Sequence, residues 1–243
     1  MEFVRATTLG ILLVVSLMGC SKKGGVEGTV VDCQGNPLAG MKIIAKQLHP
    51  VKGYELFETT TEADGYFTFD KLLPTSSYEL AASADGSTTN TLVTTESGAA
   101  GVTSTIPQPL TIRFRFSKDG ATVLDSKSGL MWARNASVGG GQIRWDEAMI
   151  GVEGLEIGGY KGWRLPTKEE LTEFLKSGGA NPAEYFNSMG FVNVPNPKSS
   201  YWTSSSYTER SDYAWIVALW DGSVSYDFKG CNYNLWPVRA ATK

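Results

Sequence analysis

From Val26 onward, apolar and polar positions alternate in short runs separated by turn residues. Val26 to Asp32 alternates, Cys33-Gln34-Gly35-Asn36-Pro37 breaks the run, and Met41 to Leu48 resumes it. Asp64-Gly65 then opens Tyr66 to Leu72, where Tyr66 and Thr68 lie opposite Phe67 and Phe69, and Ser77 to Ser83 follows. No helical period interrupts these runs, and strands at this spacing predict a small β-sandwich over 26–109. Between Ala84 and Pro109 the chain turns to Ser, Thr, Gly and Ala, a composition that suits either weak closing strands or a linker. Strict alternation returns with Thr111 to Phe116, which places a boundary at Leu110.

The pattern beyond Leu110 is mixed. Ala121 to Arg134 reads as a hairpin ending in a buried Trp132, and Arg144 to Leu155 as an amphipathic helix with Asp146 near its start. Thr167 and Glu170 have capping-box spacing, with Pro166 just before and Leu171, Phe174 and Leu175 on one face, so a second helix starts there. Tyr201 to Ser206 reads as a strand with Trp202 inside. Ala214 to Trp220 is apolar on both faces and predicts a buried central strand. Asp221-Gly222 is a hairpin turn before the alternating Ser223 to Phe228, and Asn232 to Ala240 returns to the sheet. All seven tryptophans lie in this half, which predicts a compact α+β domain over 110–243.

Charge removes some functions. With 22 basic and 25 acidic residues, the chain has no electrostatic footprint for nucleic acid. The single histidine, His49, falls in the first half, which excludes a Ser-His-Asp system or a histidine zinc site from the second. No catalytic residue, metal ligand or cofactor is assigned. At the start, Arg5, an apolar run from Leu9 to Leu17 too short to span a bilayer, and Leu17-Met18-Gly19-Cys20 have the layout of a bacterial lipoprotein signal. The expectation is a cleaved segment 1–19, a lipidated Cys20 holding the protein to a membrane, and a tether over 20–25. That places it in the cell envelope, on the periplasmic or surface face, with the outer membrane the expected site. Cys33 and Cys231 fall in different halves and are expected to stay unpaired.

Two resemblances sharpen the picture. Gly28, Val30, Asp32, Gly35, Pro37, Leu38 and Gly40, then "DGYFTF" and Leu73-Pro74 with Tyr78 and Leu80, resemble the transthyretin-like carboxypeptidase regulatory-like domain, whose members serve as spacers or packing modules. "TVLDSKSGLMW", "WDEA", "GGYKGWRLPTKEEL", "YWTSSS", "YAWIVALWDGSV" and "WPVR", in this order, resemble the DUF1566 family. That resemblance implies a C-type-lectin-like fold related to the formylglycine-generating enzyme domain. It also implies binding, with sulfated glycans the ligands of the Legionella collagen-like adhesin domain. Val152 and Ala240 stand where many members carry paired cysteines, and residues 121–243 hold 12 basic and 13 acidic groups, so the adhesin's basic surface is not evident. The redox cysteine pair of the enzyme relatives is also missing, since Cys231 stands alone in this half.

Trp163 and Arg164 read best as a core tryptophan and an arginine tied to a carbonyl or an acid. Recognition is expected on the loops that carry Tyr207, Arg210, Asp212, Tyr213, Asp221, Asn232 and Tyr233: Tyr207, Tyr213, Asn232 and Tyr233 as part of a shallow aromatic and polar surface, with Arg210 and Asp221 near its rim. Three functions stand. The leading one is a lipid-anchored envelope or surface protein binding carbohydrate through its second domain without a metal. The alternatives are a structural or assembly lipoprotein that binds an envelope protein, and an enzyme with an unrecognised site. Cys20→Ser is expected to move the protein from the membrane fraction to the soluble fraction and to abolish labelling by a palmitate analogue; unchanged partitioning would reject the anchor.

Overall fold

The computed structural model describes residues 22–241, so the lipoprotein signal and Cys20 lie outside the described residues. The first half contains β1 (Gly24–Val31), β2 (Lys42–Gln47), β3 (Leu56–Thr60), β4 (Tyr66–Leu72), β5 (Ser77–Ala84), β6 (Ser87–Thr88), β7 (Val93–Glu96), β8 (Thr103–Thr105) and β9 (Leu110–Thr111). One layer is β4-β1-β8 with β9 also on β1; the other contains β3-β2-β5, with β6 and β7 on β5. Alternation decides what lies between the layers. Val26, Val30, Phe67, Phe69 and Leu72 from one meet Ile43, Ala45, Tyr78, Leu80 and Ala82 from the other, all buried. The Asp64-Gly65 turn is tight enough that a Cβ on Gly65, at φ +77°, would lie 2.4 Å from the Val30 carbonyl oxygen.

The Ser/Thr-rich segment resolves as strands rather than a linker, because β6, β7 and β8 all pair with β5 or β1. The boundary expected at Leu110 shifts for the same reason. Leu110 and Thr111 pair with Val30 and Val31, and Leu110 and Ile112 are buried in the first core. The next buried residue, Phe114, belongs to the second core. The two cores therefore part at Arg113.

The second half contains β10 (Phe114–Ser117), β11 (Thr122–Asp125), β12 (Leu130–Ala133), α1 (Trp145–Glu153), α2 (Lys168–Lys176), α3 (Pro182–Ser188), β13 (Ser200–Ser206), β14 (Tyr213–Ala218), β15 (Val224–Phe228) and β16 (Val238–Ala240). Sheet order β10-β11-β12-β16 continues into the first half through β6, where Thr88 pairs with Phe116, so one nine-stranded sheet runs through both cores. At the junction Arg113 grips the buried Asp125 through Nε and Nη2 at 3.1 and 3.2 Å. Asp125 also accepts from the Lys127 N–H and the Ser128 hydroxyl, which closes the turn of "LDSKSG". Asn90 Nδ2 donates across to the Met189 carbonyl at 2.5 Å.

Aromatic rings build the second core. Trp132 stacks on Phe174 at 3.9 Å and Phe174 on Phe186 at 4.6 Å, while Trp236 meets Trp132, Phe174 and Phe186 edge-on. This is the reason for the apolar spacing of α2, whose Leu171, Phe174 and Leu175 are all buried. Helix α3 had no counterpart in the sequence reading; Asn181 caps it and Pro182 occupies its first turn.

The stretch "GWRLPTKEEL" is a bracket. Trp163 is buried and donates through Nε1 to the Tyr160 carbonyl at 2.8 Å. Arg164 makes a two-pronged pair with Glu170, both bonds 2.7 Å, and the same carboxylate accepts from the Thr167 N–H at 2.8 Å. In return the Glu170 N–H donates to the Thr167 hydroxyl at 3.2 Å. Hydrogen bonding from Arg164 holds the Glu170 carboxyl below its ordinary 4.5, against the opposing effect of burial. A depressed carboxyl stabilises the fold above its unfolded pKa, and that contribution fades as pH falls through the folded value. Glu170→Gln is therefore expected to lower stability at pH 7 by about 1–2 kcal/mol and to flatten the acid limb of the stability curve below the ordinary carboxylate range. Urea unfolding followed by tryptophan emission at a series of pH values checks this; an acid limb of unchanged steepness would contradict it.

Candidate functional site

Strands β13, β14 and β15 form a separate three-stranded antiparallel sheet. Register sets its two faces: Tyr213 lies opposite Phe228, Trp215 opposite Tyr226 and Val217 opposite Val224, while Tyr201 on β13 lies opposite Val217. These side chains share one face. Helix α2 packs on β13 and β14, and Tyr201 and Val217 are fully buried. The helix begins at Lys168, whose ammonium sits 4.4 Å from the centre of the Trp215 ring. Past that point the face opens.

What it presents is aromatic. Tyr207 stacks on Tyr226 at 4.1 Å with rings 5° from parallel, and Trp215 meets both edge-on at 5.2 and 5.7 Å. Tyr213 adjoins Tyr226 at 6.0 Å and Phe228 at 6.1 Å. Tyr226 is 44% exposed and Phe228 48%, far more than rings of a closed core. The turn that carries Tyr207 and Tyr213 is stiff, because the Tyr207 N–H donates to the Tyr213 carbonyl at 2.9 Å and the Tyr213 N–H to the Arg210 carbonyl at 3.0 Å. Arg210 lies 3.8 Å from the centre of the Tyr213 ring and pairs with Asp212 at 3.6 Å. Tyr207 donates its hydroxyl to Glu209 at 2.8 Å, and this bond pushes its phenol up to about 12. Beside Phe228 a recess of about 520 Å³ is lined by Arg144, Asp146, Glu147, Asp212 and Lys229, which adds charged donors and acceptors next to the rings.

Of the seven loop residues expected to bind, four come together: Tyr207, Arg210, Asp212 and Tyr213. The other three do not join them. Asp221 sits in the turn at the opposite end of β14, where its carboxylate accepts from the Ser223 N–H at 2.8 Å and Gly222 takes φ +69°. Tyr233 is half-buried, packs edge-on against Trp202 at 4.9 Å and donates to Asp227 at 2.6 Å. Burial, then that bond, pushes its phenol well up, while the same bond lowers the Asp227 carboxyl. Asn232 is exposed in the preceding turn. Tyr233 is thus a packing group, fixed by its backbone pairing with Ile143.

Three residues escaped the sequence reading. Trp215 was assigned to a wholly buried strand, and Tyr226 and Phe228 to ordinary alternation, whereas β15 is an edge strand with Val224, Tyr226 and Phe228 all exposed. Trp220, also expected inside, lies beyond β14 and is 57% exposed. Counting outward from a two-residue Asp221-Gly222 turn would have set Trp215 opposite Phe228, whereas the loop runs from Leu219 to Gly222 and sets it opposite Tyr226. The missing datum was the length of α2, which determines how far the face is covered.

A larger groove of about 1150 Å³ crosses the outer face of β10, β11 and β12, with Arg115, Leu124, Met131 and Tyr160 among its lining residues. It offers one ring against five on the open face. Cys33 and Cys231 are both free thiols, and burial raises the Cys231 pKa. Among the described residues no group of three or more His, Cys, Asp or Glu side chains is arranged to hold a metal ion.

Two family models match the chain, one on either side of the turn between β10 and β11. No curated protein matches the chain. Among solved structures, a Pseudomonas aeruginosa protein described as a candidate carbohydrate-binding protein is similar over 38% of this chain and 90% of its own, at 17% identity and a TM-score of 0.25. Residues 25–117 match the carboxypeptidase regulatory-like domain model and residues 121–239 the Lcl C-terminal domain model. The chain therefore joins a region that matches the carboxypeptidase regulatory-like domain to a second that matches the Lcl C-terminal domain family.

Proposed function

We propose that this protein is an envelope-anchored binding protein whose Lcl-type domain, of C-type-lectin-like fold, holds saccharide on the open face of β13, β14 and β15. The observation that carries the reading is the set of five rings, Tyr207, Tyr213, Trp215, Tyr226 and Phe228, gathered on one partly uncovered sheet face. Sugar rings present apolar C–H faces that stack on aromatic planes, and their hydroxyls need donors and acceptors at the side. Arg210, Asp212 and the recess next to Phe228 supply these. The cations at the rim are balanced, Arg210 by Asp212 and Lys168 by Glu169 at 3.4 Å, which favours a ligand of low net charge. The regulatory-like domain acts as the mount between membrane and binding face, with lipid on Cys20 supplying the anchor.

The test is binding of the chain from Lys22 to Lys243 to a panel of neutral and acidic polysaccharides and to purified envelope proteins, with and without chelator. Binding to neutral polysaccharide is expected, insensitive to chelator and only weakly sensitive to salt. Tyr226→Ala and Trp215→Ala are each expected to weaken it about three- to tenfold, the scale of one lost ring contact. Asp221→Ala, at the far end of the sheet, leaves it unchanged. Retained affinity in both ring variants would move the site off this face, and binding confined to envelope protein would replace saccharide as the ligand class.

A further inference from the structure

The edge of β15 is as informative as its face. The Lys229 N–H donates to the Asp212 carbonyl at 2.9 Å and the Ala218 N–H to the Ser223 carbonyl at 2.9 Å. In an antiparallel ladder the bonded positions alternate, so Ser223, Ser225, Asp227 and Lys229 direct their backbone groups inward to β14. Val224, Tyr226 and Phe228 direct theirs outward, and among the described residues no strand pairs with that side. Edge strands are usually guarded by charge, proline or a covering loop. The edge strand β4 carries Asp70 and Lys71, and the free side of β13 is covered by Asn234, whose carbonyl accepts from the Trp202 N–H at 2.9 Å. Along β15 the guards lie at Phe228, whose N–H donates to the Asp227 carboxylate at 2.7 Å and whose carbonyl accepts from the Cys231 N–H at 2.8 Å.

We propose that β15 pairs with β15 of a second copy of this chain, antiparallel about a two-fold axis at Tyr226, to make a six-stranded sheet. The strand is self-complementary in that register. Tyr226 faces Tyr226 of the other copy, Val224 faces Phe228, and Ser225 faces Asp227, so no like charges oppose each other. One position further out Lys229 meets Ser223 and lies diagonal to Asp221, an opposite charge, at both ends of the pair. Two bonds form between the Tyr226 backbones, and each Val224 N–H becomes a second donor to a Phe228 carbonyl that already accepts from Cys231, while each Phe228 N–H keeps its Asp227 partner. Pairing uses the edge and leaves the face free. The two ring sets then line one continuous surface, which would let a single polysaccharide chain cross both copies. Five residues a side make a small interface, so the dimer is weak, with a dissociation constant on the order of 100 µM.

Sedimentation velocity without saccharide reads this independently of the ligand. For the chain from Lys22 to Lys243, which keeps every strand and helix described, the weight-average mass rises toward twice the monomer's between about 1 and 500 µM. Val224→Pro removes an outward N–H where an edge strand tolerates proline, and Tyr226→Lys sets two like charges against each other on the axis; each weakens association about tenfold or more. Register is read by mild oxidation with Cys33 and Cys231 replaced by serine. Tyr226→Cys forms a disulfide between chains, and Val224→Cys, four positions from its own copy, does not. A monomer throughout the range overturns the proposal. So does a dimer that Tyr226→Lys leaves intact, or one cross-linked through Val224→Cys in place of Tyr226→Cys.

Discussion

The two-pronged bond between Arg164 and Glu170 sets how much of the β13-β14-β15 face stays open, although neither residue lies on it. Their pairing places one carboxylate so that it also closes the Thr167 cap, and the cap starts α2 at Lys168. That start lies beside Trp215, with the Lys168 ammonium 4.4 Å from the ring centre. Begun there, the nine residues of α2 cover Tyr201 and Val217 and leave the rings beyond them open. This pair is only partly buried, and such paired charges are a weak source of net stability and a stronger means of fixing one arrangement over its alternatives. In this domain the arrangement fixed is the length of uncovered sheet.

Rigidity of the mount is the second constraint. Because β6 of the first core pairs with β10 of the second, and Arg113 binds Asp125 directly beside that join, the two cores share backbone hydrogen bonds as well as side-chain contacts. A flexible linker would let the face tumble independently of the first domain. A shared sheet holds it at a set orientation relative to the regulatory-like domain.

Much of this was legible in the residues. Alternation located the sandwich strands, Thr167 and Glu170 located the α2 cap, and Trp163 with Arg164 were recognisable as structural because an indole N–H and a guanidinium in the interior require partners. Tyr207, Arg210, Asp212 and Tyr213 were found as one cluster because they share one tight turn. Tyr233 and Asp221 lie apart from that cluster for a different reason: both are polar residues in turns, and only tertiary contact separates an open turn from one that packs on Trp202 or closes a hairpin. Trp215, Tyr226 and Phe228 were missed because apolar side chains in a strand normally signal burial. Their exposure depends on where a helix from another part of the chain happens to start.

The central claim is that ligand meets the sheet where α2 ceases to cover it, and the indole N–H resonances of the seven tryptophans report on this directly. Titrating the ¹⁵N-labelled chain with a soluble neutral oligosaccharide should shift the Trp215 signal, on the open face. Trp132, Trp163, Trp202 and Trp236, all fully buried, should stay in place, as should the exposed Trp220 at the far end of the sheet. A Trp220 signal that moves while Trp215 stays still would contradict the account.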